Sequence, residues 1–197
     1  MRMLKEIITR RLNVWEWKFI GAFKIHSGEL VIGDPFFALN TGHLQEIKQV
    51  EGGDWNFYAS YQDRLVAKIL VIHEAWESRN AKLRIVDTGA IKVESGQLGV
   101  FDKEMYRNDN QFPTDYHPAG GRAKGTEAEK FYGACLERVL SGDAAGVLAF
   151  GCNCVAGHGN GKYTAEIYHA DGMAVAVSVV FMEDDDEDLD YFEYEDF

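Results

Sequence analysis

The chain has 197 residues, 46% of them hydrophobic and 13% aromatic, which is the composition of a folded protein and excludes a disordered chain. No apolar run approaches the roughly 20 residues of a membrane-spanning helix, and the first residues lack the apolar stretch of a signal peptide, so a cytoplasmic protein is expected. Of the 32 acids, ten lie in residues 183–197, leaving 22 against 20 bases in residues 1–182; the net charge of −12 therefore belongs almost entirely to the C-terminal segment.

Taken in chain order, the first patterned stretch is Gly21-Ala22-Phe23-Lys24-Ile25-His26-Ser27-Gly28-Glu29-Leu30-Val31-Ile32-Gly33-Asp34. Phe23 and Ile25, then Leu30 and Ile32, alternate with the period of half-buried strands, and Ser27-Gly28 between them predicts the turn of a hairpin. Residues 43–50 carry a short pattern that predicts a small helix. Gly53 to Glu74 predicts a second hairpin. His26 and His73 fall in or at the ends of strands, where packing is the ordinary role of a histidine, and Trp15, Trp17, Trp55 and Trp76 are expected in the core or on a sheet face.

The stretch Gly89 to Asp102 then repeats the first one. Seven of its fourteen positions are identical to residues 21–34, including the Ser95-Gly96 and the final Asp102. A second match follows, between 53–74 and 159–183, where Asp171-Gly172 is a strong turn signal. The chain is therefore expected to hold two pseudo-repeated hairpin units, 20–76 and 89–183, in one globular domain (1–182) of β-rich α+β class with antiparallel sheets. Between the hairpins the second unit carries more. Asn108 to Gly125 reads as an exposed loop, and Thr126-Glu127-Ala128-Glu129 is a capping box opening the main helix, about 126–141, with Phe131, Cys135, Val139 and their neighbours at helical spacing.

Ser27 to Pro35, with Gly159-Asn160-Gly161-Lys162-Tyr163 and Asp171-Gly172 before a closing strand, resembles uncharacterised bacterial and phage proteins of the domain-of-unknown-function 4241 type. The resemblance covers most of residues 20–183. It implies the β-rich fold and supplies no catalytic residue.

Three carboxylates are candidates for chemistry. Asp34 and Asp102 hold matching positions, and a twofold arrangement of the units would pair them for acid–base work or metal binding; the competing reading is that each caps its own turn. Asp87-Thr88-Gly89 matches the short signature of aspartic peptidases, but Phe19-Ile20-Gly21 offers no second acid, and opening a turn is the simpler role. Cys152-Asn153-Cys154 and His158, with His117 or His169, are weak metal candidates, since the spacing is Cys-x-Cys; three sparse cysteines fit a reducing compartment and buried thiols. No cofactor is expected.

The last segment, Glu183 to Phe197, interleaves Asp184, Asp185, Asp186 and further acids with Leu189, Tyr191, Phe192, Tyr194 and Phe197. Acids speed encounter and aromatics anchor, so this segment is expected to engage a protein partner, and the chain reads as a non-enzymatic interaction protein. A single-stranded-DNA-binding protein with an acidic tip, or an inhibitor that imitates nucleic acid, is the alternative, against which the nearly neutral body counts. A carboxylate-based hydrolase is third.

Overall fold

The computed structural model describes residues 3–13, 16–79, 82–118 and 128–183. Thirteen strands and three α-helices are found among them, and every strand pairing is antiparallel, as the β-rich α+β reading expects. No described helix is long and apolar enough to cross a membrane.

A six-stranded sheet runs in the order β1 (Lys18–Ile25), β4 (Gly53–Gln62), β5 (Leu65–His73), β13 (Met173–Val180), β12 (Ala165–Ala170), β6 (Arg84–Asp87). A five-stranded sheet has the order β3 (Gln45–Lys48), β2 (Glu29–Gly33), β8 (Gln97–Asp102), β10 (Gly151–Val155), β9 (Ala145–Leu148). A small ribbon pairs β7 (Ile91–Val93) with β11 (Gly161–Tyr163). The two large sheets close on one another over Phe23, Ile25, Trp55, Phe57 and Val177 from the first and Leu30, Ile32, Leu98, Val100, Cys152 and Cys154 from the second. Outside the first sheet lie α1 (Leu4–Arg11) and α2 (Glu74–Glu77), which bury Leu4, Ile8 and Trp76 against Tyr58, Leu70, Ile72 and Tyr168. Outside the second lies α3 (Glu129–Val139), whose Phe131, Ala134 and Cys135 cover Val31 and Phe101. Four layers result. Because the central strands are covered on both faces, β5 and β8 are apolar almost throughout instead of alternating with polar residues.

Both central pairings, β2 with β8 and β5 with β13, join a strand of residues 20–76 to a strand of residues 89–183. The outer hairpins also correspond. β4–β5 turns at Asp63 and Arg64 (φ 50° and 70°) and β12–β13 at Asp171 and Gly172 (φ 50° and 84°), and each carries a bulge, at Ser60/Tyr61 and Tyr168/His169. These left-handed turns match the right-handed twist of the strands they join.

The first hairpin expected in each unit does not form. β1 pairs with β4 and β2 with β3 and β8, so Ser27-Gly28 carries the chain from one sheet to the other; Ser95-Gly96 does the same between β7 and β8. Gly28 and Gly96 make these corners at φ 70° and 74°, a backbone region that suits glycine. Residues 45–48 form the edge strand β3, not a helix: Gln45 and Ile47 turn one way and Glu46 and Lys48 the other, with Lys103 bridging Glu29 and Glu46 at 2.5 and 2.9 Å.

The described part of the expected 108–125 loop is partly packed. Asp109–Gln111 forms a 3-10 turn, and Phe112 and Tyr116 lie half-buried against the α3 layer. Thr126, the expected cap, lies outside the described residues; the first-turn amides of Lys130 and Phe131 donate to the Asp109 carboxylate at 3.2 and 2.9 Å.

Candidate functional site

Asp34 and Asp102 are both fully buried, and each serves a corner far from it in the sequence. The Asp34 carboxylate accepts from the backbone N–H of Glu94 (2.8 Å) and Ser95 (2.7 Å), from the Ser95 hydroxyl (2.5 Å) and from the N–H of Phe36 (2.9 Å). Asp102 accepts from His26 (2.5 Å), Ser27 (2.8 Å) and Glu104 (3.0 Å). The two sets are reciprocal: 34 pins 94–95, and 102 pins 26–27. Since Leu30 sits opposite Asp102 in the β2–β8 register, Asp34 lies four residues further along, about 13 Å away at the rise of a strand. The structure does not bring the carboxylates together. A carboxylate offers about four lone-pair sites, and four donors at Asp34 and three at Asp102 occupy them, so the geometry is that of a clasp.

Asp87 is exposed at the end of the edge strand β6, opposite Glu166. Thr88 continues the pairing, donating from its N–H to the Ala165 carbonyl at 2.9 Å and accepting from the Ala165 N–H through its hydroxyl at 3.0 Å. Asp87 borders a cleft of about 440 Å³ that reaches across the outer face of the sheet end through Lys162, Thr164, Glu166 and Ser178 to Glu183. Glu166 is held by Arg11, whose Nη2 and Nε donate at 2.8 and 3.3 Å, and by the Tyr168 hydroxyl. The hydrogen bond from Arg11 is the chief reason its carboxyl is held below the usual range, while burial pushes the Tyr168 phenol up. The cleft thus holds charges of both signs beside hydroxyl groups: Glu166 is neutralised by Arg11, and Asp87 and Lys162 both line it. It suits a polar chain segment lying across it.

The cysteine candidates lie inside and the histidines outside. Cys152 and Cys154 are fully buried between the sheets and Cys135 is buried on the inner face of α3, all as free thiols, whereas His117 and His158 are exposed and His169 is half-buried on β12. Burial pushes the three thiols well above their ordinary range. Among the described residues no group of three or more His, Cys, Asp or Glu is placed to hold a metal ion.

Sequence reasoning passed over the residue between those cysteines. Asn153 is fully buried and donates from Nδ2 to the Gln97 side-chain oxygen at 2.8 Å and to the Cys135 carbonyl at 3.0 Å, tying β10 to β8 and α3. An amide amid apolar strand positions was the visible signal. Also unforeseen is α1, which supplies Arg11 to Glu166 and Lys5 to Glu77 at 2.8 Å. The expected partner-binding residues Asp184, Asp185, Asp186, Leu189, Tyr191, Phe192, Tyr194 and Phe197 lie outside the described residues, which end at Glu183 on the rim of the cleft. No family model matches this sequence, and neither a curated protein nor a solved structure matches the chain.

Proposed function

We propose that this chain is a non-enzymatic interaction protein that engages a protein partner through residues 183–197. The observation that carries the reading is the composition of that segment, which holds ten carboxylates, no Lys or Arg and five large apolar side chains, on a body of net charge −2. Carboxylates at this density steer encounter with a basic surface, and interleaved aromatics supply the buried anchors on which interface energy depends. The clasps at Asp34 and Asp102 support the reading, since these carboxylates are committed to donors within the fold. The three free, buried thiols fit the reducing cytoplasm as its place. Its resemblance to the 4241-type proteins would set it among bacterial and phage proteins.

The test keeps charge constant. Replacing Leu189, Tyr191, Phe192, Tyr194 and Phe197 by Ser in the full chain leaves all ten carboxylates in place. Proteins captured by the native chain and lost with this variant are partners held by the aromatic anchors. Equal capture by both sinks the reading.

A further inference from the structure

The six-stranded sheet ends at β6, and this edge has three properties in one place. Thr88 is bonded to Ala165, so alternation turns the N–H and C=O of Ile85 and Asp87 away from β12, toward the open side. Ile85 and Val86 are each 37% exposed, on opposite faces of the strand. Arg84 and Lys82 are exposed beside them, and no carboxylate is paired with either among the described residues. An open edge with apolar side chains on both faces and two unpaired cations is a template for one more strand, of acidic and apolar composition.

We propose that the β6 edge is the docking strand for the chain's own segment Leu189–Phe197, which would add to it antiparallel as a seventh strand. The inference rests on the reading of that segment as a binding element and gives it a resting place. Its start is correctly placed. Val179 stands level with Ala165 and Thr88 in the sheet, so the chain leaves β13 at the Asp87 end of β6. Glu183 and Asp87 border the same cleft, a strand beyond β6 lies one further strand spacing, about 4.8 Å, past Asp87, and the six steps from Glu183 to Leu189 reach about 20 Å when extended. The cleft beside Asp87 runs along this path; Lys162 is the cation in its lining, and Arg11 cancels the charge of Glu166. The pattern of the segment also fits. As a strand it would set Leu189, Tyr191 and Phe197 on one face and Phe192 and Tyr194 on the other, matching an edge that is apolar on both faces. Running antiparallel, its aromatics meet Val86 and Ile85, and Glu193, Glu195 and Asp196 continue toward Arg84 and Lys82. A partner of the segment then competes with β6 for it.

The test is amide exchange of the full chain followed by NMR, comparing the native protein with Tyr191→Ser/Phe192→Ser/Tyr194→Ser and with Lys82→Glu/Arg84→Glu, both full length. The N–H groups of Ile85 and Asp87 should exchange about tenfold more slowly in the native chain than in either variant, the ratio for a docked state populated about nine times in ten. Thr88, bonded within the sheet, should not change, which shows that the variants fold. Equal exchange of Ile85 and Asp87 in all three proteins overturns the inference, as does protection that falls on dilution, which would assign the edge to a second copy. Partner capture separates the two readings. Unchanged exchange with lost capture refutes the docking and leaves the partner, whereas lost protection with unchanged capture supports the docking and refutes the partner.

Discussion

Replacing Asp34 tests whether its carboxylate is a clasp or half of an acid pair. Hydrogen bonds to a charged group contribute about 1.5–3 kcal/mol each, and Asp34 accepts four. Water reaches the exposed Glu94 corner and recovers part of the loss, so Asp34→Ala should destabilise by about 4 kcal/mol, short of the additive sum. Asp34→Asn loses less. Its best orientation keeps an oxygen toward the amides of Glu94 and Ser95 and turns the NH2 toward the Ser95 hydroxyl, which rotates to accept, leaving the N–H of Phe36 unpaired; about 2 kcal/mol follows. With a urea m-value of about 2.5 kcal/mol per molar, the midpoints should fall by about 1.6 M and 0.8 M. Asp102→Asn should cost a similar amount, and at this separation the double Asn variant should be additive within about 0.5 kcal/mol. Two carboxylates sharing a proton behave otherwise, because making one neutral relieves repulsion. An Asp34→Asn variant as stable as the native chain, or a double variant that departs from additivity by more than about 1 kcal/mol, would refute the clasp.

The three buried thiols should not react with an aromatic disulfide reagent in native buffer and should all react in denaturant; one fast native thiol would show that a strand carrying it opens. Glu166 has its pKa lowered in the folded state, so its contribution to stability is present above the unfolded value of about 4.3 and is lost as pH falls through the lower folded value. Glu166→Gln should therefore cost up to about 1 kcal/mol at pH 7 and progressively less as pH falls below the unfolded value, measured by urea unfolding across an acid series; a deficit that does not change with pH contradicts the Arg11 pairing. At Arg64, φ is 70° in a turn whose counterpart carries Gly172, so Arg64→Gly should raise stability by about 0.5–1 kcal/mol, read as a rise in melting temperature; a fall would mean that the Arg64 side chain holds the turn.

What could be read before folding was local. Asp171-Gly172 announces a hairpin because two successive positive φ angles suit those residues, and Phe131, Cys135 and Val139 announce a helix because they recur on one side of a 3.6-residue period. The repeat of 21–34 in 89–102 was legible residue by residue, down to the aspartate ending each stretch. Pairing was not. An alternating stretch states that a strand has an apolar face, but nothing in it says which strand lies beside it, so Ser27-Gly28 read as a hairpin turn is a corner between sheets. Residues 45–48 show the same limit, since four residues satisfy either period and only the open side of β2 decides for a strand. The role of the aspartates was hidden for a related reason. Asp34 accepts from Ser95 and Asp102 from Ser27, contacts spanning 61 and 75 residues, and these exist only once β2 and β8 lie side by side. The sequence by itself determined that an aspartate ends each of two similar stretches; only the tertiary structure decided that each closes the corner before the other's strand, because a buried carboxylate must find its donors wherever the packed sheets bring them.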